Sequence, residues 1–211
     1  MVPNRDLALL PSAGSLDQPS LEDVRAEAAG CRACPLWKLG TQTVFGEGKG
    51  SAKIMLVGEQ PGDQEDLAGR PFVGPAGQLL DRALEAAGID RGLVYVTNSV
   101  KHFKWEPRGK RRIHQKPNAR EIAACLPWLD AEIDLIRPRV IGLLGATAAQ
   151  ALLGSNFRVT QMRGKWIDSP LAPHVIATVH PSSILRAPSE TRETQTSRFI
   201  EDLKHIADLN L

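Results

Sequence analysis

Four short apolar runs rich in β-branched residues set the terms for this chain: Lys53 to Gly58, Leu93 to Thr97, Val140 to Leu144 and Val175 to Val179. None alternates with polar residues. A strand with one solvated face alternates, whereas a strand covered on both faces by helices does not, so the runs point to a parallel sheet. Amphipathic segments separate them, as βα alternation requires. Pro75 opens one; Leu79, Leu80, Ala83, Leu84 and Ala87 form its apolar stripe and Gly88 closes it. Asn118, with Glu121 three residues later, makes a capping box ahead of Ile122, Leu126, Leu129, Ile133 and Ile136. Phe199, Ile200, Leu203, Ile206 and Ala207 give a last helix. The expected fold class is α/β: three α/β/α layers around a central four-stranded parallel sheet.

With 211 residues and 42% hydrophobic content, one core suffices. Residues 20–211 are read as a single domain and residues 1–19, with Pro11, Gly14 and Pro19, as a flexible N-terminal tail. No run approaches the roughly 18 apolar residues of a bilayer span. Leu7-Ala8-Leu9-Leu10 is too short for a signal-peptide core. Three cysteines cannot all pair, and Cys31-Arg32-Ala33-Cys34 is a C-x-x-C whose cytosolic meanings are metal site or redox pair. A polar helical segment from Ser20 to Ala29 precedes it and Pro35 follows, which suits metal better than a thioredoxin-like motif.

Charge is concentrated in one place. Lys101 to Lys116 carries seven of the 26 basic residues against the single acid Glu106, so this segment's +6 exceeds the +2 of the whole chain. A focused positive patch suits a polyanion gripped at one point. Within it, Gly109-Lys110-Arg111-Arg112-Ile113-His114-Gln115-Lys116 hangs one imidazole from a basic loop.

Residues that look chemical follow each apolar run: Gly58-Glu59-Gln60-Pro61-Gly62, Asn98, Gly145-Ala146-Thr147 and His180-Pro181-Ser182-Ser183. In open parallel sheets, ligands bind at the carboxyl ends of strands, so one cleft should gather Glu59, Gln60, Asn98 and His180. Asn98 both donates and accepts, and can read a cis-amide edge such as N3–H and O4 of uracil. His180 can donate to an oxyanion developing on a leaving group. Phe72, in Gly69-Arg70-Pro71-Phe72-Val73-Gly74, can stack on a flat ring, and Glu59 can orient water or stabilise a cationic sugar. Together these describe a pyrimidine leaving a sugar through an oxocarbenium-like state.

In order and spacing, these motifs, with Gly74-Pro75-Ala76-Gly77 and Val100-Lys101 after Asn98, resemble the uracil-DNA glycosylase superfamily, in particular its type-4 iron–sulfur enzymes. The resemblance runs from about Cys31 to Leu209. Gln60 in place of the usual alanine, and the added Lys110-Arg111-Arg112-Ile113-His114 segment, look like the X-type subgroup, which becomes covalently attached to the DNA it acts on.

The resemblance implies a uracil-DNA glycosylase fold and an enzyme that flips and excises uracil. Glu59 would act on water or the sugar cation, Phe72 would stack on the base, and Asn98 would read N3 and O4. Gln60 would help build the uracil pocket, and His180 would hold O2 as uracil leaves. His114 would attack C1′ of the deoxyribose, with Arg112 fixing its loop; Gly58, Asp63, Ser182, Ser183 and Arg186 complete the expected substrate-binding set.

Cys31, Cys34, His102 and Cys125 would ligate a [4Fe–4S] cluster, with zinc as the competing metal. The implied partner is uracil-containing DNA, including single strands, with uracil as product. A monomer in the cytoplasm, associated with the nucleoid and not with membrane, is expected. The alternatives are an ordinary turnover type-4 glycosylase and a non-catalytic iron–sulfur DNA-binding module.

Overall fold

The structure is a computed structural model that describes residues 19–211; apart from Pro19, the expected tail lies outside the described residues. In chain order the elements are α1 (Leu21–Ala29), β1 (Ile54–Gly58), α2 (Asp63–Ala68), α3 (Pro75–Ala86) and β2 (Val94–Asn98). There follow β3 (Trp105–Arg108), β4 (Arg111–His114), α4 (Ala119–Ile136), β5 (Val140–Leu144), α5 (Ala146–Leu153) and α6 (Val159–Met162). The chain ends with β6 (Trp166–Ile167), β7 (His174–Thr178), α7 (Pro181–Leu185) and α8 (Ser189–Ala207). No helix among the described residues is long and apolar enough to cross a membrane.

All four apolar runs become parallel strands, each starting within one residue of its expected position. The sheet order is β2-β1-β5-β7-β6. Ile54 and Leu56 face α3 and α8, packing with Leu80, Leu84, Phe199 and Leu203, while Met55 and Val57 pack with Leu129, Ile133, Ala148 and Ala149 of α4 and α5. Both faces are therefore covered, and each fully buried aliphatic side chain contributes about 1.5–3 kcal/mol. The capping box forms as expected: Asn118 Oδ1 accepts from Glu121 N at 2.9 Å, and Glu121 Oε2 accepts from Asn118 N at 2.7 Å. A third apolar cluster, with Val24, Ala28, Leu36, Val100, Cys125 and Trp128, fastens α1 to α4.

Two expectations need correction. The sheet has five strands, because two-residue β6 adds antiparallel to the outer edge of β7. Two residues give no readable period. The basic segment is not a loop: β3 and β4 form an antiparallel hairpin turning at Gly109, whose φ is +60°. Trp105, Arg112 and His114 occupy its inner face, and the exposed Arg108 and Arg111 point outward, so charge hid the alternation.

From β1 the chain moves to β2 on one side, and after the hairpin and α4 it returns past β1 to β5 on the other. The order reverses between β1 and β5, and a crevice opens outside their carboxyl ends.

Candidate active site

A cavity of about 480 Å³ occupies that crevice. Among its lining are Glu59 and Gln60 after β1, Asn98 at the end of β2, Thr147 in α5, and His180, Ser182, Ser183 and Arg186 around α7. Phe72 lines it from the turn before α3, and His114 and Lys116 reach it from the hairpin. Gly58 is not among the cavity-lining residues but stands beneath three that are: a Cβ there would overlap Asn98 Oδ1, 2.9 Å from Phe72 Cζ and 3.3 Å from His180 Nε2. Those three side chains thus converge over one backbone position. A larger apolar depression of about 630 Å³ involves Val24, Ile133, Leu171 and Pro173 and holds none of the expected site residues.

The orientation of His180 is set by its own helix. Ser182 N donates to Nδ1 at 3.1 Å, and Ser182 Oγ lies 2.8 Å from the same nitrogen. A backbone N–H only donates, so Nδ1 carries the lone pair and the proton sits on Nε2. Burial pushes the His180 imidazole down to about 4, against the milder opposing pull of Glu59. The ring is therefore a neutral Nε2–H donor at the cavity floor. Ser183 Oγ donates to His180 O at 2.7 Å, which completes the turn.

Phe72 adopts φ +57°, a left-handed conformation costly for a bulky residue and characteristic of functional sites. The turn is held from both sides. Glu65 Oε1 accepts from Gly74 N at 2.7 Å and Oε2 from Gly62 N at 3.1 Å, and a side chain at Gly77 would collide with the Phe72 carbonyl. The Phe72 ring lies 6.0 Å from His180 at 26° between planes, leaving a flat slot beside Asn98.

Glu59 bridges the two sides of the cavity. Its Oε2 accepts a short hydrogen bond from Thr147 Oγ1, and its Oε1 stands 3.1 Å from His114 Nε2. Burial opposes ionisation, but hydrogen bonds from His114 and Thr147 and the nearby imidazoles outweigh it and hold the carboxyl below its ordinary range. His114 is half exposed at the mouth, with its ring 6.3 Å from Phe103.

Gln60 and Asp63 have their polar groups engaged away from the slot. Gln60 Nε2 donates to Lys104 O at 3.2 Å and to Gln115 O at 3.0 Å, while its Oε1 accepts from Lys104 N at 3.2 Å. Its amide thus joins both stems of the hairpin. Asp63 is not among the cavity-lining residues; its Oδ1 accepts from Arg112 Nε at 2.5 Å. Arg112 also donates to buried Asp66 Oδ2 at 2.6 Å, and its guanidinium lies 5.5 and 5.6 Å from the Phe103 and Trp105 rings. Thr147 and Glu65 have no role in the sequence reading. Thr147 stood in a segment marked as chemical, whereas nothing local distinguishes Glu65 from a helix-start acid.

The expected ligand set is only partly assembled. Cys31 and Cys34 pack against the cluster that contains Cys125, and burial pushes the Cys125 thiol up to about 12. His102 Nε2 lies 3.0 Å from Thr43 Oγ1, and burial pushes the imidazole below its ordinary range. Among the described residues, no three His, Cys, Asp or Glu side chains stand where they could hold a metal ion. The expected Cys3His arrangement is therefore not met, and the chemistry below uses only the cavity residues.

Residues 45–204 match the profile of the uracil DNA glycosylase superfamily. The chain is 43% identical over 186 residues to a type-4 uracil-DNA glycosylase of Thermotoga maritima, covering 87% of this chain and 91% of that one. It is 39% identical over 198 residues to a type-4 enzyme of Sulfurisphaera tokodaii, with 90% and 84% covered. A type-5 uracil-DNA glycosylase of Thermus thermophilus is 29% identical over 202 residues, with 86% and 83% covered.

Proposed function

The chain belongs to the uracil-DNA glycosylase superfamily, and we propose that it excises uracil from DNA and then stays bound to the abasic sugar through His114. The flipped base enters the slot beside Phe72, at an unstacking cost of a few kcal/mol. Asn98 reads N3–H and O4. As the C1′–N1 bond breaks, its electron pair leaves with uracil, and His180 Nε2–H donates to O2. The ionised Glu59 carboxylate faces the oxocarbenium-like sugar.

His114 Nε2 then forms the bond to C1′ while its proton passes to Glu59 Oε1. An imidazole held at this distance competes with water through effective concentration. The outward face of the hairpin, with Arg108, Lys110 and Arg111 exposed, supplies sequence-independent grip on phosphates, so single strands are accepted.

The observation that carries this reading is His114 Nε2 at 3.1 Å from Glu59 Oε1, beside the slot defined by Phe72, Asn98 and His180. Incubation with a uracil-containing single-stranded oligonucleotide, followed by a denaturing gel, is expected to give a shifted band that survives denaturation. No such band, with free uracil in excess over protein, would leave an ordinary turnover glycosylase. That second reading is favoured by Thr147, which holds Glu59 equally well for directing water.

The iron–sulfur assignment to Cys31, Cys34, His102 and Cys125 remains a proposal.

A further inference from the structure

Behind the cavity lies a buried charge pair that the chemistry above does not use. Lys101 is 1% exposed and Glu132 0%. The Lys101 ammonium donates to Glu132 Oε2 at 2.5 Å, Thr97 Oγ1 at 2.6 Å and the backbone carbonyl of Asn98 at 2.8 Å, so all three protons have acceptors. The Glu132 carboxylate is equally engaged: Oε1 accepts from Gly46 N at 2.9 Å and Tyr95 OH at 2.8 Å, and Thr97 Oγ1 lies 2.9 Å from Oε2. Apart from the Gly46 bond, which ties in the segment before β1, these contacts fasten β2 and its carboxyl end to α4.

A buried ion pair gains little stability over apolar residues of similar volume, because desolvation offsets the attraction. Its directional bonds do fix position. The peptide that follows Asn98 is held at both ends: Ser99 N donates to Gly58 O at 2.9 Å, and the Lys101 ammonium fixes the Asn98 carbonyl at 2.8 Å. We propose that Lys101 and Glu132 are positioning residues that aim the Asn98 side chain at the base, and that they act on uracil release and not on DNA grip. This rests on the glycosylase reading.

The alternative route, through the cysteines, uses a different atom: the main-chain N–H of Lys101, not its ammonium, reaches Cys125 Sγ.

The test is the double variant Lys101→Met/Glu132→Leu, which leaves no unpaired buried charge. Single-turnover uracil release is expected to fall on the order of 10- to 100-fold, since small misplacements of a reacting group cost that much. Binding to uracil-free DNA is expected to stay within about twofold. In the Asn98→Ala background the same pair of changes should produce almost no further loss, because residues acting through one another are non-additive.

Equal loss in both backgrounds, or no loss at all, overturns the proposal while leaving the glycosylase reading intact. Absence of release by the wild-type protein overturns both. Should the double variant not fold, Thr97→Val, nearly isosteric, removes the hydroxyl between the two charges and is expected to lower release through the same coupling with Asn98.

Discussion

Replacing Gln60 with alanine removes three hydrogen bonds, two from its amide nitrogen to Lys104 O and Gln115 O and one accepted from Lys104 N. At about 1 kcal/mol net for each, the staple contributes roughly 3 kcal/mol to holding both stems of the hairpin against β1. Gln60 is buried, but Lys104 and Gln115 are only partly so, and water replaces some of what is lost. A destabilisation of about 1.5–3 kcal/mol is the working figure. With 1.36 kcal/mol per tenfold, the ratio of hairpin with His114 seated beside Glu59 to unseated hairpin should fall roughly 10- to 150-fold.

Adduct formation and uracil release separate the two roles open to Gln60. If the amide staples the hairpin, Gln60→Ala slows the appearance of the denaturation-resistant band by up to that factor while free uracil still forms, because Phe72, Asn98 and His180 are untouched. If the amide reads the base, both rates fall together. Hydrogen exchange at Lys104 and Gln115 gives a readout without chemistry, and protection there should drop by a similar factor. An adduct rate within about twofold of wild type, or release falling in step with it, would refute the staple.

Three further outcomes are expected. His114→Ser should abolish the adduct and release free uracil with turnover; loss of release as well would mean that trap and pocket are not separate. Because the fold holds the His180 imidazole near 4 against an ordinary 6.5, the unfolded chain binds that proton more readily. His180 therefore contributes its full stability above pH 6.5 and loses it as pH falls from 6.5 towards 4, on the order of 3 kcal/mol. Denaturant midpoints across that window should fall for wild type and fall less for His180→Asn; parallel curves would refute the assignment. Finally, anaerobically purified protein should contain iron and acid-labile sulfide in the ratio of a [4Fe–4S] cluster. A metal-free or zinc-only preparation would rule the cluster out.

Much of the frame was legible because its signals are local. The Asn118–Glu121 box, the Pro75 helix start and the Gly88 stop each involve residues a turn apart, and all appear at their expected places. The strand ends followed from apolar continuity, and with them the gathering of Glu59, Asn98 and His180 around one cavity. The hairpin was missed because its two faces differ in what they touch, not in polarity: Arg112 inside is as charged as Arg111 outside. The contact of His102 with Thr43 was hidden for a related reason. The two lie 59 residues apart, and nothing in either neighbourhood announces the contact.

Residue type and short-range spacing thus determined the kinds of element, their order and the inventory of chemical groups at the strand ends, since periodicity and capping are properties of near neighbours. The division of labour among those groups came from contacts between distant parts of the chain. Gln60 meets Gln115 across 55 residues, Arg112 meets Asp63 across 49, and Thr147 meets Glu59 across 88. A side-chain amide or carboxylate has the same hydrogen-bonding capacity wherever it stands. Whether it faces a base, a backbone or another charge is fixed only when the sheet and helices bring one particular partner within about 3 Å.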